Sequence, residues 1–379
     1  MAAFEIDADI PAGNIIVEKF EGDDVFLRQD LRDTDGHWFY WQFRIRGAAG
    51  RTVAFHLTSP PALSNLGPAI SLDGGWTWQW LGAACVSESC FTCTIPANAA
   101  DVRFSMGMPY TRRQLDAFLA GHDGNEHLEC SDLCRTRKGR SVPKLRVGKL
   151  TEPAHRVLIT ARHHCCEMMA SYALEGIIEA VLESDELGEW MRQNVEMMIV
   201  PMADYDGVQD GDQGKNRKPR DHNRDYDGES VHVETAALRE LVPTWSGGKL
   251  RVAMDVHCPY IMGGKHNEKI YGVGSSHDWV WNAQQHFNGI LEKSIQGSLP
   301  YSLQNDLPFG QDWNDGRNFD QGRSFSRWAA EDIPGLRLAA SYELPYSSAD
   351  GVEVNQQTAR LFGHDLARAL RAYLDEGGQ

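Results

Sequence analysis

The hydrophobic pattern of this chain changes period once, near residue 112, and that change limits its fold more than any single motif does. In "HWFYWQFRIRG", Phe39, Trp41, Phe43 and Ile45 alternate with Trp38, Tyr40, Gln42, Arg44 and Arg46, the period of a strand with one buried face. Similar short runs recur ("NIIVEKF", "DVFLRQDL", "RTVAFHLTS", "WTWQWLG", "FTCTIP", "DVRFSMGMPY"), separated by turn residues and with no helical period among them. They predict an antiparallel β-sandwich over residues 1–110. Beyond it, strands alternate with helices: "RVLITAR", an amphipathic run over 166–183, "VEMMIVP", a helix near 232–241, "LRVAMDVH", a helix near 278–292, "LRLAASYELP" and a last helix over about 354–375. This predicts an α/β domain over 111–379 with a largely buried central sheet. Residues 203–230 form a polar, Gly- and Asp-rich stretch too long for an ordinary connection, which marks a functional loop.

With 379 residues, 42% of them hydrophobic and 24% charged, the chain can build two such cores. A net charge of −16 argues against general binding to nucleic acid or to an anionic membrane surface. The opening "MAAFEIDADIP" has neither a basic nor an apolar leader region, and no apolar run approaches 18 residues, so a cytoplasmic protein is expected. Eight cysteines in a chain of this size do not make a disulfide framework. Cys90 and Cys93, followed by Cys130 and Cys134, loosely resemble a zinc ribbon, but residues three apart on a strand face opposite sides. Buried free thiols are the expectation there.

The segment "ITARHHCCEMMASYALEGIIEAVL", residues 159–182, sets two histidines, two cysteines and a glutamate between a strand and a helix. His164 and Glu167 are spaced i, i+3, so on the first turn of a helix they would converge on one ion. His257, in "MDVHCP" at the carboxyl end of a buried strand, stands where open α/β sheets place their binding groups. Two imidazoles and one carboxylate form a His2Glu set that leaves zinc a free position for water. His163, at i, i+4 from Glu167, is a rival ligand that spacing alone does not exclude.

Together with "VPMADYDG", "DHNRDY", "DVHCP" and "SYELPY", this H-x-x-E pair resembles the zinc carboxypeptidases of the funnelin family, in their cytosolic-carboxypeptidase-like branch. "WFYWQFRIRG", "FSMGMPYT" and "RKGRSVPKLRVG" resemble the sequences at the end of that branch's leading β-sandwich and at its join to the mixed-sheet peptidase domain. The resemblance implies one Zn2+ per chain on His164, Glu167 and His257, and removal of a single residue from the C-terminus of a peptide or protein. It implies Glu343 as the general base that takes a proton from water and passes it to the leaving amine. Asn223 and Arg224 match the family's clamp on the terminal carboxylate, a task suited to a guanidinium's paired donors. Relatives carry an oxyanion arginine upstream in a G-N-x-R setting where this chain reads "GDQGKNRKPR"; Arg217 is expected in that role, with Lys215 as the substitute. A substrate-contacting tyrosine some twenty residues before the base has no counterpart between Ser302 and Ser341, which leaves Tyr260, Tyr271 or Tyr301 for the task, or none.

Two rival functions share the pattern: an aminoacylase-like zinc amidohydrolase of small N-acyl amino acids, and a degenerate peptidase that only binds peptides. Against the second, His164, Glu167, His257 and Glu343 are all present. Finally, Lys215, Arg217, Lys218, Arg220 and Arg224 put five cations within ten residues of an acidic chain. A basic rim of that kind, with Arg323 or Arg327 in the pocket, predicts a preference for a C-terminal Glu or Asp.

Overall fold

The computed structural model describes residues 4–99 and 101–376. Two five-stranded sheets come first, all of whose strands lie between residues 5 and 105. Their facing side chains make an aromatic core in which Phe43, Phe55, Phe91 and Phe104 have ring centroids 4.7 to 5.5 Å apart. Pairing is antiparallel except between Asp24–Arg28 and Thr52–Leu57, which run parallel.

The "HWFYWQFRIRG" run departs from simple alternation. Only Gln42–Arg46 is strand, and Phe39, Tyr40 and Trp41 are all buried. Tyr40 is covered on the face the pattern assigned to solvent because residues 38–41 pass beneath the long loop of the second unit. There the Tyr40 N–H donates to Gln213 Oε1 at 2.8 Å and its hydroxyl to the Ala12 carbonyl at 2.6 Å.

The second unit is built on a seven-stranded mixed sheet. Its centre is four parallel strands in the spatial order Val195–Val200, His155–Ala161, Leu250–His257 and Leu338–Glu343. A hairpin, Leu128–Arg135 with Ser141–Gly148, extends one edge antiparallel, and Tyr271–Gly272 closes the other. Burial on both faces suits the near-continuous apolar runs of these strands. Helices Met168–Leu182, Asp278–Ser294 and Gln356–Glu376 cover one face. Val233–Ser246 and Phe325–Asp332 cover the other, through Leu238, Val242, Phe325 and Trp328. Met168–Leu182 and Gln356–Glu376 cross so closely that a Cβ built on Gly363 would stand 2.0 Å from the Ala173 carbonyl oxygen.

The two cysteine pairs fall in different sheets, Cys90 and Cys93 in the first unit and Cys130 and Cys134 in the second, and all eight thiols are free. What matters for function is the order of the central strands. From His155–Ala161 the chain builds first toward Val195–Val200 and then, on the other side, toward Leu250–His257. The crevice at the carboxyl ends of His155–Ala161 and Leu250–His257 is therefore a topological switch point, where open α/β sheets hold ligands.

Candidate metal centre and its cleft

His164 and Glu167 converge through a turn and not, as the spacing suggested, through a helix. The helix begins at Met168, with Glu167 as its N-cap residue, and the Glu167 N–H donates to the His164 carbonyl at 3.1 Å. Arg162 fixes this turn. Its backbone takes φ 63°, unusual for a residue with a side chain, and its buried guanidinium donates to the carbonyls of Cys165 (2.8 Å) and Tyr110 (3.1 Å) and to Ser171 Oγ (3.1 Å).

Both imidazoles then present Nδ1 to the same carboxylate: His164 Nδ1 lies 2.9 Å from Glu167 Oε1, and His257 Nδ1 2.8 Å from Glu167 Oε2. On their far sides His257 Nε2 meets Asp255 Oδ2 at 2.6 Å and His164 Nε2 meets Asp221 Oδ2 at 3.2 Å. A carboxylate behind each ring fixes the tautomer that leaves Nδ1 free to bind, the usual arrangement behind metal-ligating histidines. Asp255 and Asp221 were not singled out in the sequence, although an aspartate inside the buried strand "VAMDVH" is a signal in itself.

His163 is turned away. Its Nδ1 meets Asp255 at 2.9 Å and its Nε2 meets the Tyr226 hydroxyl at 2.7 Å, so both nitrogens are engaged in the core. Among the described residues, three groups bring potential ligand atoms within 4.8 Å of one another: His164, Glu167 and His257; His163, Asp255 and His257; and His222, His232 and Glu234. Only the first has both of its imidazoles on the wall of the large cleft.

That cleft has a volume of about 500 Å³, and its wall includes His164, His257, Glu343, Lys215, Asn223 and Arg224. Glu343 ends the strand beside His257, paired with it in register. Its Oε2 is buried with no hydrogen-bond partner among the described residues. Burial, with the Glu167 charge adding to it, pushes the Glu343 carboxyl up to about 7, although His257 and Lys215 pull the other way. Burial works against the charge of His164, yet Asp221 and Glu167 raise it to about 9; His257 is likewise raised, by Asp255 and Glu167. Glu167 is held well below the usual carboxylate range by Lys215, His164 and His257, against its own burial. Such a cluster, with one ionised carboxylate between two Nδ1 atoms, fits a divalent cation that replaces the imidazole protons.

The loop over residues 211–224 is shaped by the first unit. Asp33 accepts the N–H groups of Gln213 (3.0 Å) and Gly214 (2.9 Å), its carbonyl accepts the Lys218 N–H (3.0 Å), and Thr34 bridges Arg217. Gly214 takes φ +78°, and a Cβ there would lie 2.4 Å from the Cys165 nitrogen. Held this way, the loop turns Lys215 toward the cleft and Arg217 away from it. Lys215 Nζ lies 2.7 Å from Glu167 Oε1 and donates to the Cys258 carbonyl at 3.0 Å. Arg217 is absent from the cleft wall; it is bound to Asp204 (2.5 Å) and Asp212 (3.0 Å). The expected oxyanion arginine is thus not brought to the site, and its substitute is.

Asn223 and Arg224 do reach the cleft. Asn223 Oδ1 accepts the Phe325 N–H at 2.9 Å, and the Arg224 Nη1 donates to the Asn223 carbonyl at 2.7 Å. Of the three tyrosines, Tyr260 and Tyr271 line the cleft, whereas Tyr301 donates to Asp306 Oδ1 at 2.8 Å, outside the wall. Arg327 lines the cleft; Arg323 does not, and pairs with Glu331 and Asp332 at 2.9 Å. The rest of the basic run is also answered, Lys218 by Asp35 (2.7 Å) and Arg220 by Asp225 (3.1 Å).

Residues 122–247 match the family model described as zinc carboxypeptidase, a span that includes His164, Glu167, Asn223 and Arg224. An uncharacterized protein of Zymomonas mobilis is 23% identical over 211 residues, 54% of each chain. Human cytosolic carboxypeptidase 1 is 24% identical over 239 residues, 58% of this chain and 19% of that protein. The chain therefore spans about half the length of the Zymomonas relative and about a fifth of the human one. Among solved structures, a metallo-carboxypeptidase from Burkholderia cenocepacia superposes with a TM-score of 0.80 at 18% identity, covering 100% of both chains. One from Pseudomonas aeruginosa, in complex with (2-guanidinoethylmercapto)succinic acid, gives 0.75 at 20% identity over 98% of this chain and 99% of that one. Over residues 122–247 the chain is thus similar to the zinc carboxypeptidase family, and over its whole length it shares the fold of the bacterial metallo-carboxypeptidases, with the donor set at the switch point of that fold.

Proposed function

We propose that the protein is a zinc-dependent metallocarboxypeptidase that removes the last residue of a peptide or protein, with one zinc on His164, Glu167 and His257. The observation that carries this reading is the placement of Glu343: a buried carboxylate with an unpartnered oxygen, beside the His2Glu set and in the same cleft as Asn223 and Arg224. When bound, the metal supplies Lewis acidity. Glu343 takes a proton from the attacking water and returns it to the leaving amine. Arg224 and the Asn223 amide hold the terminal carboxylate, and their fixed separation from His164 and His257 makes the last peptide bond the one that reacts. Lys215 is the cation nearest the metal donors and meets the negative charge that develops on the scissile carbonyl oxygen, the task the sequence had given to Arg217.

The catalytic unit is taken as residues 111–379, with the β-sandwich over 1–110. A cytoplasmic setting follows the cytosolic relatives; among the described residues no helix is long and apolar enough to cross a membrane. Specificity for a C-terminal Glu or Asp rests on Arg327, which shares the cleft wall with Ser326 and Ser341.

The test is mass-spectrometric detection of single-residue release by the zinc-loaded protein, with the same peptide amidated at its C-terminus as control. Cleavage of the amidated peptide, or release of an acyl group and no amino acid, would overturn the reading.

A further inference from the structure

We infer that Trp38, carried by the leading β-sandwich, forms with Tyr260 the wall that receives the side chain of the residue immediately before the scissile bond. The inference rests on the carboxypeptidase reading and adds a substrate-selecting role for the first unit.

The cleft has a direction. A terminal carboxylate on Asn223 and Arg224, and a carbonyl between the metal donors and Lys215, leave the preceding residue to exit past Lys215. The Trp38 ring stands there: its centroid is 5.6 Å from Lys215 Nζ, which is itself 2.7 Å from Glu167 Oε1. That is within about two residue lengths of extended chain. Tyr260 follows the ligand strand by three residues and is tied to the same segment. Its hydroxyl donates to the His37 carbonyl at 3.2 Å, its ring lies 6.0 Å from that of Trp38, and Phe39 meets it edge-on at 4.9 Å.

Trp38 is also placed as a contact residue and not as a core residue. Phe39 and Trp41 are fully buried, whereas Trp38 is half-buried and lines the cleft. Its one polar atom, Nε1, already donates to the Asp35 carbonyl at 3.1 Å, so what remains toward the cleft is the ring. An indole beside a phenol makes a rigid surface for an apolar or aromatic side chain.

The experiment uses the zinc-loaded full chain and peptides with a fixed C-terminal residue and Gly, Ala or Phe before it. The wild type should favour Phe over Gly in kcat/KM by about tenfold, the scale of one good aromatic contact. Trp38→Ala should bring that ratio to near one, and Trp38→Phe should keep most of it. In a Glu343→Gln background, which needs no turnover, the Kd values of the same peptides should show the same order. A ratio unchanged in both Trp38 variants, by rate and by Kd, overturns the inference. Failure of the wild type to turn over any peptide, with the Kd order intact, counts against the carboxypeptidase reading and not against the wall.

Discussion

Lys215 Nζ lies 2.7 Å from Glu167 Oε1, whereas Arg217, two residues on, is bound to Asp204 and Asp212 on the other side of the same loop. The Lys215 ammonium covers Glu167, a carboxylate with no exposed surface. Burial works against its charge, but Glu167 raises it well beyond the ordinary lysine value. Lysine and metal therefore compete for one carboxylate. Lys215→Met should tighten zinc binding, read by chelator competition, while lowering kcat on the order of 10²-fold through loss of oxyanion stabilisation. Unchanged zinc affinity would show that the ion pair does not persist in solution.

Arg217 predicts a different phenotype. It is the partner of Asp204, whose carboxyl is buried yet held well below the usual range by Arg217 and His222. A depressed carboxylate contributes stability that is complete above the unfolded aspartate value of about 3.9 and is lost as pH falls toward the folded value. Arg217→Ala should destabilise the protein by about 3–5 kcal/mol at pH 7, as a buried pair left half empty, read as a sharply lower Tm, and should flatten the loss of stability as pH falls below about 4. A normal Tm with impaired catalysis would return the oxyanion role to Arg217.

Metal content separates the histidines. We expect one zinc per chain by elemental analysis, lost in His257→Ala and His164→Ala. His163→Gln should keep its zinc but melt earlier, since it breaks contacts to Asp255 and Tyr226 in the core. Asp255→Asn should weaken zinc about 10- to 100-fold through the ring it orients. A zinc-free His163 variant that is otherwise folded would move the ligand set by one residue.

The two halves of the fold were legible because each has its own hydrophobic period; a short spacing and a strand end suggested His164, Glu167 and His257 as groups that could converge, whereas Glu343 came only from the family resemblance. Lys215 was not legible in this way. Whether it or Arg217 faces inward depends on Asp33, Thr34 and Gly214, contacts some 180 residues apart in sequence that spacing does not encode. Tyr40 failed for the same reason, covered by Gln213 from the second unit. Helix Phe325–Asp332, at two turns, is too short to impose a period, yet its first N–H positions Asn223.

The general-base role proposed for Glu343 predicts the acid limb of activity. A general base must be ionised, so kcat/KM should fall as pH drops through its pKa. Burial puts that value at about 7, and a bound divalent cation nearby lowers it, so the limb should lie below pH 7 and move upward when zinc is exchanged for a more weakly held metal. Glu343→Gln should keep peptide affinity while turnover falls on the order of 10²-fold or more. Wild-type turnover in that variant would assign the proton transfer elsewhere.

Gly363 tests the packing that supports the metal turn. Its missing Cβ lets Gln356–Glu376 lie against Met168–Leu182, the helix capped by Glu167. Because a methyl group at 2.0 Å from the Ala173 oxygen must push backbone aside, Gly363→Ala should destabilise by about 1–3 kcal/mol or more. An exposed alanine substitution on the same helix, at Gln357, should change Tm little. Equal Tm values for the two would mean the helices are less tightly apposed.

The acidic preference now depends on one side chain. The basic run that suggested it is largely answered by partners: Lys218 by Asp35, Arg220 by Asp225, Arg217 by two aspartates, and Arg323 by Glu331 and Asp332. Cations neutralised by partners in this way contribute little directed field across a cleft at ordinary ionic strength. Arg327 is different, since it lines the cleft near Ser326 and Ser341 while its Nε donates to Glu331 at 2.8 Å. A guanidinium on the same cleft wall as two serine hydroxyls is a setting that suits a carboxylate. We expect kcat/KM to be highest for peptides ending in Glu or Asp, about tenfold or more above those ending in Lys or Phe, with the difference narrowing at high salt. Arg327→Ala should remove that preference, whereas Lys218→Glu and Arg323→Ala should leave it within about twofold. A Glu preference that survives Arg327→Ala, or faster cleavage of the Phe- or Lys-ending peptide by the wild type, would remove Arg327 from specificity and with it the acidic assignment.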